Sequence, residues 1–169
     1  MALETVTIRP AHPSDLAAVD RLFARSYPTL LKADYPPSVL VTAVPRLARA
    51  QPSLLASGTY LIAEATEGGV LAAGGWTRSA PVAGQGTRRV GHVRHLATDP
   101  DHLRRGLARA IVTRTLAGAR DAGMRGMICL STRTAVPFYA ALGFEPIEDV
   151  DIPLAAGIAF PAVRMARRL

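Results

Sequence analysis

Apolar and polar positions repeat with two different periods along this chain, and the places where the period changes mark its elements. Residues 5–9 alternate and are rich in β-branched side chains, which predicts a first strand stopped by Pro10-Ala-His-Pro13. Ser14 then stands where a helix needs a cap, and Leu16, Val19, Leu22 and Phe23 recur at helical spacing through about Arg25. Pro28, Pro36, Pro37, Pro45 and Pro52 divide residues 26–58 into short interrupted helices. Residues 59–65 and 70–77, joined by Glu67-Gly68-Gly69, predict a β-hairpin.

Residues 78–89, rich in Gly, Pro, Ala and Arg, are expected to form a mobile loop. Residues 92–98 then alternate as a strand that Asp99-Pro100 stops. Alternation puts His92 and His95 on opposite faces of that strand. From Gly106 to Ala122 the apolar positions Leu107, Ile111, Leu116 and Ala119 give a helix closed by Gly123. A strand over residues 127–131, a short helix over 135–142 ended by Gly143, an extended stretch over 144–153 and a last strand over 160–165 complete the chain. Hairpins and strand–helix alternations both occur, so the expected fold is α/β (α+β), with a mixed sheet and helices on its faces. The length of 169 residues suits a single domain, and no repeat or linker divides it.

Composition narrows the function classes. No apolar run approaches the roughly 20 residues of a membrane span, and the first residues have no basic stretch leading into a long apolar one. A soluble, cytoplasmic protein is therefore expected, with no membrane partner. The only cysteine, Cys129, leaves no internal disulfide and no multi-cysteine metal site, and in a buried strand it reads as a small hydrophobe. Charge is informative in its distribution. Residues 88–133 carry ten arginines against Asp99, Asp101 and Asp121, so this segment holds the chain's entire net charge of +7. An anionic partner, either nucleic acid or a phosphorylated small molecule, follows from that concentration. Lys32 is the only lysine among 20 basic residues, and that bias offers a compositional account of the same arginines.

The strongest chemical signal lies where the strand of residues 92–98 passes into the following helix. The loop Arg104-Arg105-Gly106-Leu107-Ala108-Arg109 leads into a helix amino terminus, whose unpaired N–H groups and dipole favour a phosphate. Gly106 and Ala108 allow close approach of a pyrophosphate, and the three arginines add charge-assisted donors. An ordinary helix start with solvated arginines is the alternative for these residues alone. Neither G-x-x-x-x-G-K-[S/T] nor G-x-G-x-x-G after a strand is present.

With these residues in view, the chain resembles the GCN5-related N-acetyltransferases over nearly its whole length. Leu103-Arg-Arg-Gly106-Leu-Ala108 matches the family's [R/Q]-x-x-G-x-[G/A] acetyl-CoA loop, except that Leu103 stands where Arg or Gln is usual. The opening Thr7-Ile-Arg-Pro-Ala-His-Pro-Ser-Asp-Leu16, the strand end Leu96-Ala-Thr-Asp-Pro100 and the later Ala135-Val-Pro-Phe-Tyr139-Ala-Ala-Leu-Gly143-Phe144 also match in order and spacing.

The resemblance implies a mostly antiparallel sheet of about six to seven strands, splayed between the fourth and fifth, with helices on both faces. It implies acetyl-CoA as co-substrate, no metal, and a small-molecule amine or peptide amino terminus as acceptor. Transfer would be direct, through a tetrahedral intermediate. The main chain of Leu96, Ala97 and Thr98 would pair with the pantetheine arm. The pyrophosphate would rest on the amides of residues 104–109, and Arg133 or Arg109 would meet the 3′-phosphate. Tyr139 matches the family's general acid, although a tyrosine beside Phe138 also reads as core packing with a polar tip. His95 is the candidate base where some relatives place a carboxylate; a packed histidine with a water chain carrying the proton is the alternative. Thr132 stands where many relatives have Asn near the cofactor arm. Trp76 either lines the acceptor side or packs, and residues 26–58 and 78–89 should decide the acceptor. Two other functions stay open: an acyl-CoA-binding regulatory module, and nucleic-acid binding through the arginines. Residues 152–165 either pair across a homodimer or complete the chain's own sheet.

Overall fold

A computed structural model describes residues 5–82 and 87–169. Its centre is a seven-stranded sheet in the order β1-β2-β3-β4-β5-β7-β6, with β1 Val6–Pro10, β2 Tyr60–Ala65, β3 Val70–Thr77, β4 Val90–Thr98, β5 Gly126–Ser131, β6 Glu145–Ala155 and β7 Ile158–Arg168. Only β4 and β5 run parallel. Helix α1 Leu16–Leu30 and the short helices α2 Pro37–Thr42, α3 Val44–Leu47 and α4 Pro52–Leu55 cover one face. Helices α5 Leu107–Asp121 and α6 Val136–Ala141 cover the other. The mixed sheet clothed on both faces is the architecture the sequence predicts.

Each face buries its own apolar layer. Val19, Leu22, Phe23 and Tyr27 of α1 pack on Tyr60, Ile62, Ala73 and Ala97. On the opposite face Ile111 and Leu107 of α5 meet Ala63 and Ala72, while Val112 and Leu116 meet Trp76, Val93, Met127 and Cys129. Trp76 therefore packs beneath α5 and does not line the acceptor side. Small residues along β3 let both layers approach the sheet. A Cβ at Gly75 would lie 2.3 Å from the Thr59 carbonyl oxygen and 2.5 Å from Tyr60 Cα.

Three local expectations are corrected. Ser14 does not cap α1: the chain turns through a 3-10 segment, Pro13–Asp15, where the Asp15 carboxylate accepts from His12 N at 2.7 Å and is gripped by Arg9 at 2.9 and 3.0 Å. Helix α1 also runs past Arg25 to Leu30 through Pro28, because Tyr27 and Leu31 are buried on the same apolar layer and hold the last turn. The carboxyl-terminal strand is longer than residues 160–165, and β7 inserts between β5 and β6, with Gly126 opposite Arg168 and Ser131 opposite Val163. Hence residues 152–165 complete this chain's own sheet. Of the loop expected over 78–89, residues 83–86 lie outside the described residues. Among the described residues no helix is long and apolar enough to cross a membrane.

Candidate active site

The site arises from a failure of pairing. Strands β4 and β5 pair only through Val90–Gly126, Gly91–Met127 and His92–Ile128, after which they diverge. Beyond His92 the edge of β4 that faces β5 has no strand partner, and a cleft of about 1180 Å³ opens there. Strand β4 itself carries a bulge. Ala73 opposes Ala97 and Gly75 opposes Arg94, so Gly74 faces two residues, His95 and Leu96. His95 takes a left-handed φ of +37°. The extra residue breaks the alternation and turns the His95 ring onto the α1 face, where it stacks on Phe23 with centroids 5.4 Å apart. The expectation that alternation alone sets His92 and His95 apart therefore fails at the bulge.

Two buried tyrosines hold this irregular backbone. Tyr60 donates to the His95 carbonyl at 2.7 Å, and Tyr27 donates to the Leu96 carbonyl at 3.3 Å. No sequence signal pointed to either residue beyond its place in an apolar pattern.

At the carboxyl end of β4, Asp99 stabilises the turn into α5. Its Oδ1 accepts from the Asp101 amide at 2.9 Å, and its Oδ2 meets Arg25 Nε at 3.3 Å. Arg104 (φ +58°) and Gly106 (φ +77°) both adopt left-handed conformations, so the loop curls before α5 begins. Gly106 is the helix cap and supplies no side-chain acceptor, which leaves the first amides of α5 open toward the cleft. A Cβ at Gly106 would meet nothing within 4 Å, so the concavity above this loop is free.

The cleft lining includes His95, Leu96, Ala97, Thr98, Leu103, Arg104, Gly106, Leu107, Ala108, Arg109, Thr132 and Tyr139. Arg105 lies outside the lining; it is exposed between the two left-handed turns. Arg133 is also elsewhere, with its guanidinium 5.7 Å above the Tyr35 ring, so Arg109 is the one of that pair at the cleft. The Thr132 hydroxyl accepts from the Ala135 amide at 3.1 Å and thereby caps the turn before α6. Leu103, 42 % exposed, has no polar group to offer.

Burial sets the protonation states. Tyr139 is enclosed by Phe138 and Phe144, and desolvation, with smaller contributions from Cys129 and Tyr27, holds its hydroxyl well above the usual phenol range. The His95 imidazole falls to about 4 through burial first and the Arg94 cation second, with the Leu47 backbone pulling the other way. Burial pushes the Cys129 thiol up to about 12. At neutral pH the cleft thus presents a protonated phenol, a neutral imidazole and an unionised thiol. Among the described residues no group of three His, Cys, Asp or Glu side chains is placed to hold a metal ion.

Solved structures share this architecture. A GCN5-related N-acetyltransferase from Rhodopseudomonas palustris superposes with a TM-score of 0.78 at 20 % identity, over 100 % of this chain and 99 % of that one. The PaiA N-acetyltransferase of Thermoplasma acidophilum, solved with coenzyme A, gives 0.73 at 11 % identity over 98 % and 99 %. The ribosomal-protein-S18-alanine N-acetyltransferase of Escherichia coli gives 0.63 at 18 % identity over 97 % and 94 %. No curated protein matches the chain. The sequence model of the acetyltransferase (GNAT) domain matches residues 56–146, more than half the chain and the whole of the segment that builds the splayed strands, the curled loop and α6. The chain belongs to the GCN5-related N-acetyltransferase family.

Proposed function

We propose that this protein transfers the acetyl group of acetyl-CoA directly to a primary amine, on a small molecule or a peptide amino terminus, through a tetrahedral intermediate. One observation carries the reading: a single cleft contains the open amides at the α5 amino terminus, the unpartnered edge of β4 and the Tyr139 hydroxyl. The amides of residues 107–109, with Arg104 and Arg109, suit a pyrophosphate. Leu96, Ala97 and Thr98 offer main-chain groups to an extended pantetheine arm, as a strand edge does. A main-chain N–H in the Leu96–Ala97 region, fixed by the bulge, is the donor for the oxyanion.

Proton movements then fall to two side chains. Tyr139 keeps its proton at every working pH and gives it to the departing thiolate. His95 is neutral above about pH 4 and accepts a proton only weakly, so it relays the amine's proton to solvent. Cys129 lines the cleft but stays a thiol, which argues for direct attack by the amine over an acetyl-cysteine route.

Leu103 and the committed Thr132 hydroxyl favour a second reading, an acyl-CoA-binding module without turnover. Thermal shift with acetyl-CoA, free CoA, ATP and NAD, followed by a CoA-release assay over an amine panel, separates the two. A ligand at about 100 times its Kd adds about 2.7 kcal/mol, equivalent to about 5–10 °C in Tm here. Shifts with both CoA species plus CoA release support the transferase. Shifts without release support the module, and no shift with either CoA species removes both.

A further inference from the structure

Arg94 is a feature of the cleft that acetyl-CoA binding and proton transfer leave unexplained. It is half-buried on β4, beside His95, and lines the cleft. Its guanidinium donates to Thr77 Oγ1 at 3.0 Å and to Gln51 Oε1 at 3.2 Å, both neutral acceptors. Among the described residues no carboxylate pairs with it. Three arginines of this chain do meet carboxylates: Arg9 meets Asp15 and Glu64, Arg25 meets Asp99 and Asp101, and Arg164 meets Glu148. A desolvated cation without a counter-ion is costly, and burial lowers the Arg94 pKa accordingly.

The surroundings sharpen the point. Arg46 also lines the cleft, and among the described residues no lining residue is Asp or Glu. Residues 83–86, Ala-Gly-Gln-Gly, contribute no charge either. Acetyl-CoA does not account for Arg94. Arg94 and Thr98 lie opposite Gly75 and Ala72 of β3, three steps or about 10 Å apart at 3.3 Å per residue, and the phosphate-binding loop lies beyond that end of the strand. Arg94 instead sits on the α1 face, against Gln51 from the loop before α4.

We infer that the amine accepted at this site also carries an anionic group, a carboxylate or a phosphate, and that Arg94 with Arg46 holds it as a specificity-determining pair. The inference rests on the transferase reading above. A guanidinium has five N–H donors and matches the fork of either oxyanion, and Thr77 and Gln51 use only two of them. An amine reaches the site as a cation, so a purely basic acceptor such as a polyamine meets repulsion from Arg94 and Arg46. An anionic group on the acceptor removes that penalty and supplies the missing counter-charge.

The test uses matched amines that differ in the anionic group: α-amino acids against their carboxamides, phosphoethanolamine against ethanolamine, and spermidine as the basic extreme. CoA release is measured for wild type, Arg94→Gln and Arg94→Lys, and equilibrium binding of the same amines to the CoA-loaded protein is measured in parallel. The anionic member of a pair should have the higher kcat/KM and bind more tightly. Arg94→Gln should raise its KM about 10- to 100-fold, leave the KM of its neutral partner unaffected, and leave the CoA-induced Tm shift intact; Arg94→Lys should restore part of the loss. Whether the amino acid or the phosphate pair shows the effect identifies the anion. Preference for the amides or spermidine, or discrimination that survives Arg94→Gln, overturns the inference while leaving the transferase standing. Absence of turnover with anion-selective, Arg94-dependent binding overturns the transferase and keeps the anion subsite. Absence of both turnover and selective binding removes both.

Discussion

The Tyr60 hydroxyl, on β2, donates a 2.7 Å hydrogen bond to the His95 carbonyl on β4, with β3 lying between the two strands. That bond, with the one from Tyr27 to Leu96, fixes the bulge at which β4 leaves β5. A non-glycine residue at φ +37° is strained by on the order of 1–3 kcal/mol and persists only where its surroundings over-determine it. Tyr60→Phe keeps the ring and strips the bond, leaving a buried carbonyl unpaired. Urea denaturation should show a loss of about 1–3 kcal/mol. Acetyl transfer should fall more than CoA affinity, because the bulge positions the reacting end and not the phosphates. Unchanged kcat in a destabilised variant would separate the bulge from catalysis.

Tyr139→Phe should behave in the opposite way. The hydroxyl makes no hydrogen bond among the described residues, and the ring already packs edge-to-face with Phe138 and Phe144. Stability should stay within about 0.5 kcal/mol of wild type, since no bond is broken and no cavity forms. Loss of a general acid should lower kcat about 100-fold with CoA affinity unchanged. A variant with wild-type kcat on any amine would remove Tyr139 from the reaction.

Adjacent glycines on β3 should tolerate a methyl group unequally. At Gly74 the added Cβ approaches Leu96 Cδ1 at 2.6 Å and Ile111 Cγ2 at 3.1 Å, both ends of side chains that can turn aside. At Gly75 it meets the backbone of Thr59 and Tyr60 at 2.3 and 2.5 Å, which can yield only if β2 moves away from β3. Gly75→Ala should cost about 3 kcal/mol or more and Gly74→Ala about 1 kcal/mol, by thermal or urea denaturation. Equal costs would mean that β2 shifts easily.

These contrasts follow a division between what neighbours in sequence and neighbours in space determine. The β2–β3 hairpin and α5 are legible from periodicity because their signals are local: Glu67-Gly68-Gly69 makes the turn, and Ile111, Leu116 and Ala119 make the stripe. The curled loop before α5 is legible for the same reason. Tyr139 is singled out only by family resemblance, since a tyrosine between apolar residues reads equally as core. The bulge at His95 is invisible in sequence, because it depends on Gly74 opposite and on hydroxyls from residues 27 and 60. Arg94 is likewise silent: its lack of a carboxylate is a property of Gln51 and Thr77, which only the fold brings near. Ser14 shows the converse, a good local cap signal overridden by Arg9 reaching Asp15 from β1.

The pH dependence of stability should carry the signature of the buried imidazole. His95 titrates at about 4 in the folded protein against 6.5 in the unfolded chain. Between those values the unfolded chain binds a proton that the folded one refuses, so stability rises as pH rises from about 4 to 6.5 and is level above. His92, lowered by burial, Arg94 and Arg164, adds to the same trend. Asp15, whose carboxyl Arg9 holds below its usual range, contributes stability that is lost only at more acid pH. Urea titrations from pH 4 to 8 should therefore give a smaller slope for His95→Gln than for wild type over the acid interval, and the same slope above pH 6.5. The rate profile should differ from the stability profile. Because His95 is already neutral at pH 6, an acid limb in kcat/KM above that pH belongs to the acceptor amine, and His95→Gln should lower its height without moving its midpoint. A midpoint that moves with the substitution would make His95 the titrating base and would contradict the relay assigned to it.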